Sequence, residues 1–219
     1  MPETGLPKRL ITRFMRVFFY LLYHKFAGSY DWVAAIVSLG KWNQWVSSIL
    51  PKITGPRVLE LGYGTGHLQT SLHRQGIGTF GIDASPQMGR IASKRLRQAG
   101  NMPNLINGYA QYLPFPNDFF NQIVATFQSE YILDPRTFSE AHRVLAPGGE
   151  IIILYLIWIT GSTWPERAAA WLFKISGQTP TGEDLALPSL QHPHFRLHHK
   201  KIVHPSWSAW VLTATKISP

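Results

Sequence analysis

The chain has 219 residues, of which 21 are basic and 12 are acidic, so its formal net charge is +9. A hydrophobic share of 45% can bury a full core at this length, which excludes a disordered protein and fits one α/β domain with a short extension. The sequence has no cysteine, which excludes disulfides, thiolate metal sites and cysteine nucleophiles. The basic excess fits nucleic acid, an anionic membrane surface or an acidic ligand.

The first fifty residues are predicted to form two helices. Between Lys8 and Phe26, apolar residues recur at helical spacing and basic residues cluster in the first half. This segment either packs on its own domain or on a second subunit, or lies on an anionic membrane as an amphipathic helix. The second helix is predicted from Tyr30 to Leu50, before Pro51.

No apolar run approaches the ~20 residues of a membrane-spanning helix. No signal-peptide pattern is evident in the N-terminal residues either. We therefore expect a cytoplasmic protein, and peripheral contact with a membrane is the alternative that the basic helix leaves open. The sequence predicts no particular oligomer.

From Pro56 onwards, short apolar segments alternate with amphipathic ones. Strands are predicted at Arg57–Leu61, Thr79–Ile82, Asn104–Asn107, Gln122–Phe127 and Ile151–Ile159. The intervening helices begin after Gly66, at Ser85-Pro86 and at Asp134-Pro135, and the last one is stopped by Pro147-Gly148-Gly149. Two further strands, Phe195–Val203 and Trp207–Lys216, are predicted to form a hairpin. The fold class is therefore α/β, with a doubly wound, mostly parallel sheet and an antiparallel C-terminal edge strand.

A glycine-rich loop, Gly62-Tyr63-Gly64-Thr65-Gly66, follows the first predicted strand. Glycines allow a sharp turn and bring backbone N–H groups close to a ligand. Asp83 ends the next strand about 20 residues further on, where an acidic group can bond ribose hydroxyls. The last glycine of the dinucleotide pattern G-x-G-x-x-G is replaced here by His67. The loop therefore predicts a nucleotide-containing ligand other than a dinucleotide.

The loop, with Glu60 before it, resembles motif I of the class I S-adenosylmethionine (SAM)-dependent methyltransferases. Later segments resemble the G-D-A-x-x-L-P-F-P, F-D-x-V and R-V-L-K-P-G-G patterns of the same family, at Asn107–Pro116, Phe120–Val124 and Arg143–Gly149. The N-terminal pattern Phe26–Asp31, Ser38–Gly40 and Trp45 is similar to the opening of ubiquinone/menaquinone-biosynthesis methyltransferases, in the methyltransferase type 11 group.

The resemblance implies a Rossmann-like, SAM-binding methyltransferase domain at residues 51–219, preceded by a helical extension or cap at residues 1–50. In this family, Glu60 would lie near the methionine amino group and Asp83 would hold the ribose. The expected cofactor contacts are Tyr30, Glu60, Gly62, Tyr63, Gly64, Thr65, Gly66, Asp83, Ala84, Met88, Tyr109, Ala110, Gln111 and Phe127. Tyr109 and Asn121 stand where the family usually has aspartate, and Tyr63 is bulkier than the usual loop residue.

Methyl transfer from SAM depends mainly on proximity and orientation, so the sequence assigns no catalytic residue. The apolar run Trp164, Trp171, Leu172 and Phe173 lies where this family commonly builds a substrate lid. It implies a small, apolar or lipid-like acceptor, such as a quinone precursor or a phospholipid headgroup.

Two alternatives remain, an RNA methyltransferase that uses the basic surface and a SAM-binding protein without catalysis. The segment Phe127–Tyr131 lacks the Asn/Asp-Pro-Pro-Tyr pattern of many amino-group methylators, which disfavours nucleic acid as the substrate. A late cluster of histidines includes the neighbours His198 and His199, which would face opposite sides of a strand and have no carboxylate beside them. We therefore predict no metal site.

Overall fold

The computed structural model describes residues 38–127, 130–161 and 193–217, together with Ala35, Thr163, Trp164, Glu166 and Arg167. In chain order the elements are α1 (Trp42–Ser47), β1 (Arg57–Leu61), α2 (His67–Arg74), β2 (Gly78–Asp83), α3 (Pro86–Gln98), β3 (Leu105–Asn107), β4 (Phe120–Thr126), α4 (Pro135–Val144), β5 (Leu145–Ile159), β6 (Phe195–His204) and β7 (Trp207–Lys216). Short 3-10 turns cover Leu50–Lys52 and Glu130–Leu133. No helix within these ranges combines the length and apolarity needed to cross a bilayer.

The strands form one seven-stranded sheet in the order β3-β2-β1-β4-β5-β7-β6. The first five strands of that order are parallel, β7 is antiparallel to β5, and β6 is antiparallel to β7. These pairings confirm the predicted α/β sheet and its antiparallel C-terminal hairpin, with β6 at the edge. The strand order reverses at β1 and β4, and the crevice outside the carboxyl ends of such strands is the usual ligand site of a doubly wound sheet.

Both faces of the sheet are covered, which explains why its central strands are so uniformly apolar. Leu59 and Leu61 of β1 face the hydrophobic cluster that contains Phe138 of α4. Val58 of β1 faces the opposite cluster, which contains Trp45 of α1. Alternate residues of one strand thus enter two separate cores, as the pleat requires.

The helix predicted from Tyr30 to Leu50 is not continuous, which corrects the sequence prediction. Residues 38–40 form a turn in which Leu39 and Gly40 have φ values of 52° and 75°, outside the helical region. Ser38 Oγ accepts the N–H of Trp42 at 3.0 Å, which satisfies one free donor at the start of α1. The predicted helix Lys8–Phe26 lies outside the described residues.

The Pro147-Gly148-Gly149 segment, predicted as a helix stop before a strand that begins at Ile151, belongs to the strand itself. The helix ends at Val144, and Leu145 already pairs with Phe120 of β4. The register then shifts, so that Gln122 pairs with Glu150. The proline and glycines therefore lie in a bulge, an irregularity that hydrophobic periodicity does not reveal.

Candidate cofactor site

The glycine loop lies at the carboxyl end of β1, and each of its glycines has a positive φ: 67° at Gly62, 51° at Gly64 and 81° at Gly66. A Cβ added at Gly66 would lie 2.9 Å from Ala92 Cβ, so this glycine lets the loop pack closely against α3. A Cβ added at Gly64 would meet no atom within 4 Å, so this glycine borders open space. Gly66 is therefore needed for packing, whereas Gly64 leaves open the space beside the loop, which we call the cofactor cradle.

Asp83, at the end of β2, is buried and contacts this loop directly. Its Oδ2 accepts the backbone N–H of Gly64 at 2.8 Å, and its Oδ1 accepts the N–H of Ser85 at 2.8 Å. The first of these bonds ties the carboxyl end of β2 to the loop after β1. Ala84, the next residue, is exposed.

Glu60 is buried in β1 beneath the loop. Burial raises its pKa to about 8, against the opposing effect of Gln69, whose Nε2 donates to it at 2.8 Å; the charge of Asp83 adds to the rise. Glu60 therefore keeps its proton at neutral pH. A cation placed nearby would favour the ionised form.

The bulky side chain of Tyr63 fills space inside the protein, because it is only 4% exposed. A Cβ added at Gly81 would lie 2.7 Å from the Tyr63 ring, and one added at Gly89 would lie 2.9 Å from its hydroxyl oxygen. The ring thus packs between β2 and α3, where glycines make room for it. Burial, then the charges of Asp83 and Glu60, raise the Tyr63 pKa to about 12.

The remaining predicted contacts around the site differ in their exposure. Thr65 is buried, and its carbonyl accepts from Arg95 of α3. Met88 is fully buried and packs with Tyr63 in a small core, so its side chain faces the protein interior. Tyr30 lies outside the described residues.

On the β3 side, the segment after Asn107 presents a mixture of buried and exposed groups. Tyr109 is 64% exposed, whereas Ala110 is buried. Gln111 Nε2 donates to Asp134 Oδ2 at 3.3 Å, next to the start of α4. The Tyr109 side chain is therefore mostly exposed to solvent and does not take a buried position in place of the family's usual aspartate.

Phe127 follows β4 at the point where the strand order reverses, and it forms an aromatic group with α1. Its ring centroid lies 4.6 Å from that of Trp42 and 6.3 Å from that of Trp45. Its φ is 53°, an uncommon conformation for a bulky residue. Such backbone outliers cluster at functional sites, where the surrounding structure holds them in place.

Tyr131 is a site residue that sequence analysis did not single out. Its burial, together with the charges of Asp83 and Glu60, raises the pKa of its phenol, which therefore stays protonated. Its position shortly after the carboxyl end of β4 is a sequence signal that could have identified it, because that end of a strand borders the crevice.

An ion pair joins two segments that the chain keeps far apart. Lys41, just before α1, donates to Glu166, which follows β5, and Thr163 Oγ1 donates to Glu166 Oε2 at 2.6 Å. These bonds lower the pKa of Glu166 to about 2. Of the predicted lid residues, only Trp164 is described, and it is 82% exposed. Trp171, Leu172 and Phe173 lie outside the described residues.

In the described part of the chain, His, Asp and Glu side chains form no group that could hold a metal ion. His198 and His199, from the late cluster of histidines, are adjacent in β6 and both exposed.

Comparisons with known proteins point to one family. The family described as "Methyltransferase domain" matches residues 58–149. Demethylmenaquinone methyltransferase of Tropheryma whipplei (strain Twist) is 31% identical over 137 residues, which is 60% of this chain and 56% of that protein. Ubiquinone/menaquinone biosynthesis C-methyltransferase UbiE of Blochmanniella floridana is 32% identical over 143 residues, or 61% of this chain and 56% of that protein. The chain thus spans little more than half the length of these relatives.

Solved structures share the fold at lower identity. A putative SAM-dependent methyltransferase of Methanococcus maripaludis superposes with a TM-score of 0.62 at 17% identity, covering 88% of this chain and 93% of that chain. A Haemonchus contortus phosphoethanolamine N-methyltransferase, in complex with phosphomonomethylethanolamine and S-adenosylhomocysteine, gives 0.59 at 16% identity, covering 82% and 53%. Residues 58–149 are thus similar to the methyltransferase-domain family, and the doubly wound sheet is shared with solved SAM-dependent methyltransferases.

Proposed function

We propose that this chain transfers a methyl group from SAM to a small, apolar or lipid-like acceptor, with a quinone precursor or a phospholipid headgroup as the two candidates. When bound, SAM supplies an electrophilic methyl group on a sulfonium. The protein's part in such a displacement is to hold the reactants in line and to exclude water.

The residues at the carboxyl ends of β1 and β2 fit this cofactor. The open side of Gly64 leaves room for a ligand against the backbone, and Asp83, the residue that the family resemblance assigns to the ribose, contacts the loop through the Gly64 N–H. Glu60, buried and protonated without a ligand, would become a counter-charge for the methionine amino group. We propose Ala110 and Gln111 for the adenine edge, and Tyr30, Ala84 and Tyr109 as further contacts.

The proposed class of methyl acceptor rests on one observation, the aromatic group formed by Trp42 and Phe127 at the carboxyl end of β4. These half-buried rings offer an apolar wall next to the proposed cofactor cradle, which suits a planar or greasy acceptor. The names of the relatives, quinone-biosynthesis methyltransferases, support a quinone precursor, and the Haemonchus neighbour supports a headgroup.

The extension at residues 1–50 is proposed as a cap over this site. Its described part packs on the domain, because Trp45, Val46 and Ile49 of the extension are buried in the same core as Val58 of β1. Contact of the segment Lys8–Phe26 with an anionic membrane, and a cytoplasmic location, stay predictions.

The decisive experiment offers labelled SAM and the full chain to a lipid extract and, separately, to RNA, and identifies the labelled product by mass spectrometry. Label in a quinone precursor or a phospholipid supports the proposal, whereas label in RNA replaces it. Calorimetric titration with SAM and S-adenosylhomocysteine comes first. Binding with no labelled product in either pool would favour a SAM-binding protein without catalysis.

A further inference from the structure

The C-terminal hairpin extends beyond the rest of the sheet at the edge where the glycine loop lies. Pairing between β4 and β5 ends at Thr126 and Leu154, yet β5 continues to Ile159 with β7 as its partner. At ~3.3 Å per residue, this overhang reaches about 16 Å past the carboxyl end of β4. The turn between β6 and β7 lies at its end, since Ile159 pairs with Trp207 and Trp207 pairs with His204.

We call the overhanging part of this hairpin, residues 200–210 with Leu156 and Trp158 of β5, the hairpin tip. Its charge is of one sign: residues 193–217 contain no Asp or Glu, while Lys200 and Lys201 are adjacent and exposed. Neither lysine takes part in an ion pair within the described residues. The tip therefore presents uncompensated positive charge.

One face of the hairpin tip also carries apolar and aromatic side chains. The register places Leu156, Trp210 and Lys201 in one row across three strands, and Trp158, Ser208 and Val203 in the next row. Lys201 Nζ lies 4.7 Å from the centroid of the Trp210 ring, and Val203 is 73% exposed. Tryptophan beside lysine, with an exposed aliphatic group further out, is the pattern of a protein surface at a membrane–water interface.

We propose that the hairpin tip is a docking surface for an anionic lipid bilayer. Its positive charge complements anionic headgroups, and the Val203 and tryptophan side chains suit the apolar boundary below them. Nucleic acid would use the charge but would gain nothing from Val203. Docking here would direct the carboxyl edge of the sheet, with the cofactor loop, towards the lipid. This inference rests on the proposed function, because a membrane surface is where a lipid-like acceptor is found.

The test measures co-sedimentation of the full chain with vesicles of phosphatidylcholine and phosphatidylglycerol in equal parts. The double variant K200Q/K201Q should bind these vesicles about twenty-fivefold more weakly, because each basic residue near an anionic surface contributes about fivefold. The matched control is R90Q/K94Q, which removes the same charge from the exposed face of α3 and should bind like the native chain. Vesicles of phosphatidylcholine alone should bind the native chain weakly.

Val203→Asn distinguishes docking on lipid from binding of nucleic acid, because it removes the apolar side chain and leaves the positive charge. It should weaken vesicle binding and leave the affinity for an RNA oligonucleotide unchanged. Any of three results would overturn the proposal. K200Q/K201Q could bind vesicles as tightly as the native chain, R90Q/K94Q could lose as much vesicle affinity as K200Q/K201Q, or Val203→Asn could leave vesicle binding unchanged. Calorimetric titration with SAM should give native affinity for all these variants; a native chain that docks but binds no SAM contradicts the proposed function alone.

Discussion

Asp83 Oδ2 accepts the backbone N–H of Gly64 at 2.8 Å, a bond that joins the end of β2 to the loop after β1. Because Gly64 has a left-handed φ of 51° and no atom within 4 Å of an added Cβ, the carboxylate fixes a loop whose outer side is open. The acidic residue therefore has two roles in the proposal: it orders the loop and it accepts from the ribose.

Gly64→Ala should reduce SAM affinity much more than it reduces stability. A Cβ at this left-handed position costs ~1 kcal/mol of folding free energy and also occupies the cradle. Gly76→Ala is the matched control, because Gly76 has a φ of 73° and equally open surroundings after α2. Urea denaturation should show similar losses for both variants.

Calorimetric titration should show at least a tenfold loss of SAM affinity, ~1.4 kcal/mol, for Gly64→Ala alone. Similar affinities for the two variants would mean that the open side of Gly64 does not face the cofactor.

The contact between Tyr63 and Gly89 should appear as coupling in a double-mutant cycle. Alanine is favoured over glycine in a helix by up to ~1 kcal/mol, but a Cβ at Gly89 would lie 2.9 Å from the Tyr63 hydroxyl oxygen. We expect Gly89→Ala to raise the free energy of unfolding of the Tyr63→Phe protein. In the protein that keeps Tyr63, the same substitution should raise the free energy of unfolding less, or lower it. The unfolding free energies of the four proteins measure this, and additivity within ~0.3 kcal/mol would contradict the contact.

Much of this fold could be predicted from sequence where local pattern and tertiary position agree. The loop Gly62–Gly66 needs glycine for backbone reasons, and Ser85 with Pro86 starts α3, the serine Oγ accepting the N–H of Met88. The hairpin could be predicted because the two strand-like runs are joined by a short turn.

The rest depended on contacts between distant residues. The sequence marks Tyr63 only as a bulky residue in the loop, whereas in the fold Gly81 and Gly89 make room for its ring. The pKa of Tyr131 is raised first by burial and then by the charges of Asp83 and Glu60, which lie far away in sequence. The bulge that contains Pro147 exists because Leu145 pairs with Phe120 first, a long-range pairing that no local pattern encodes.

Arg143 should stabilise the segment before α4 that carries the proposed adenine contacts. Its guanidinium donates to the carbonyls of Phe115 at 2.7 Å and Leu113 at 2.8 Å, and it pairs with Glu140, which in turn accepts the Leu113 N–H at 2.7 Å. Arg143→Met should cost ~1–2 kcal/mol of stability, given the partial exposure of the site, and should weaken SAM binding. Arg143→Lys keeps the positive charge but lacks the planar guanidinium with its several donors. It should therefore recover only part of the lost stability and part of the lost SAM affinity. Native urea denaturation of Arg143→Met would contradict this role.

Glu60 should make the protein less stable as pH rises through the neutral range. Its pKa is raised to about 8 in the fold from an ordinary 4.5, so the folded state holds a proton that the unfolded chain releases. The stabilising contribution is therefore complete below about pH 4.5 and is lost as pH rises towards 8, with a slope of at most ~1.4 kcal/mol per pH unit. Glu60→Gln cannot ionise and should flatten this slope.

Urea denaturation of both proteins between about pH 6 and pH 8, without SAM, measures the difference. Glu140→Gln is the control, because Arg143 lowers the pKa of Glu140 and its titration therefore falls at more acidic pH. It should leave the slope in the neutral range unchanged. Parallel pH profiles for the native and Glu60→Gln proteins would show that Glu60 is already ionised in the folded state, and would remove its proposed response to the cofactor's amino group.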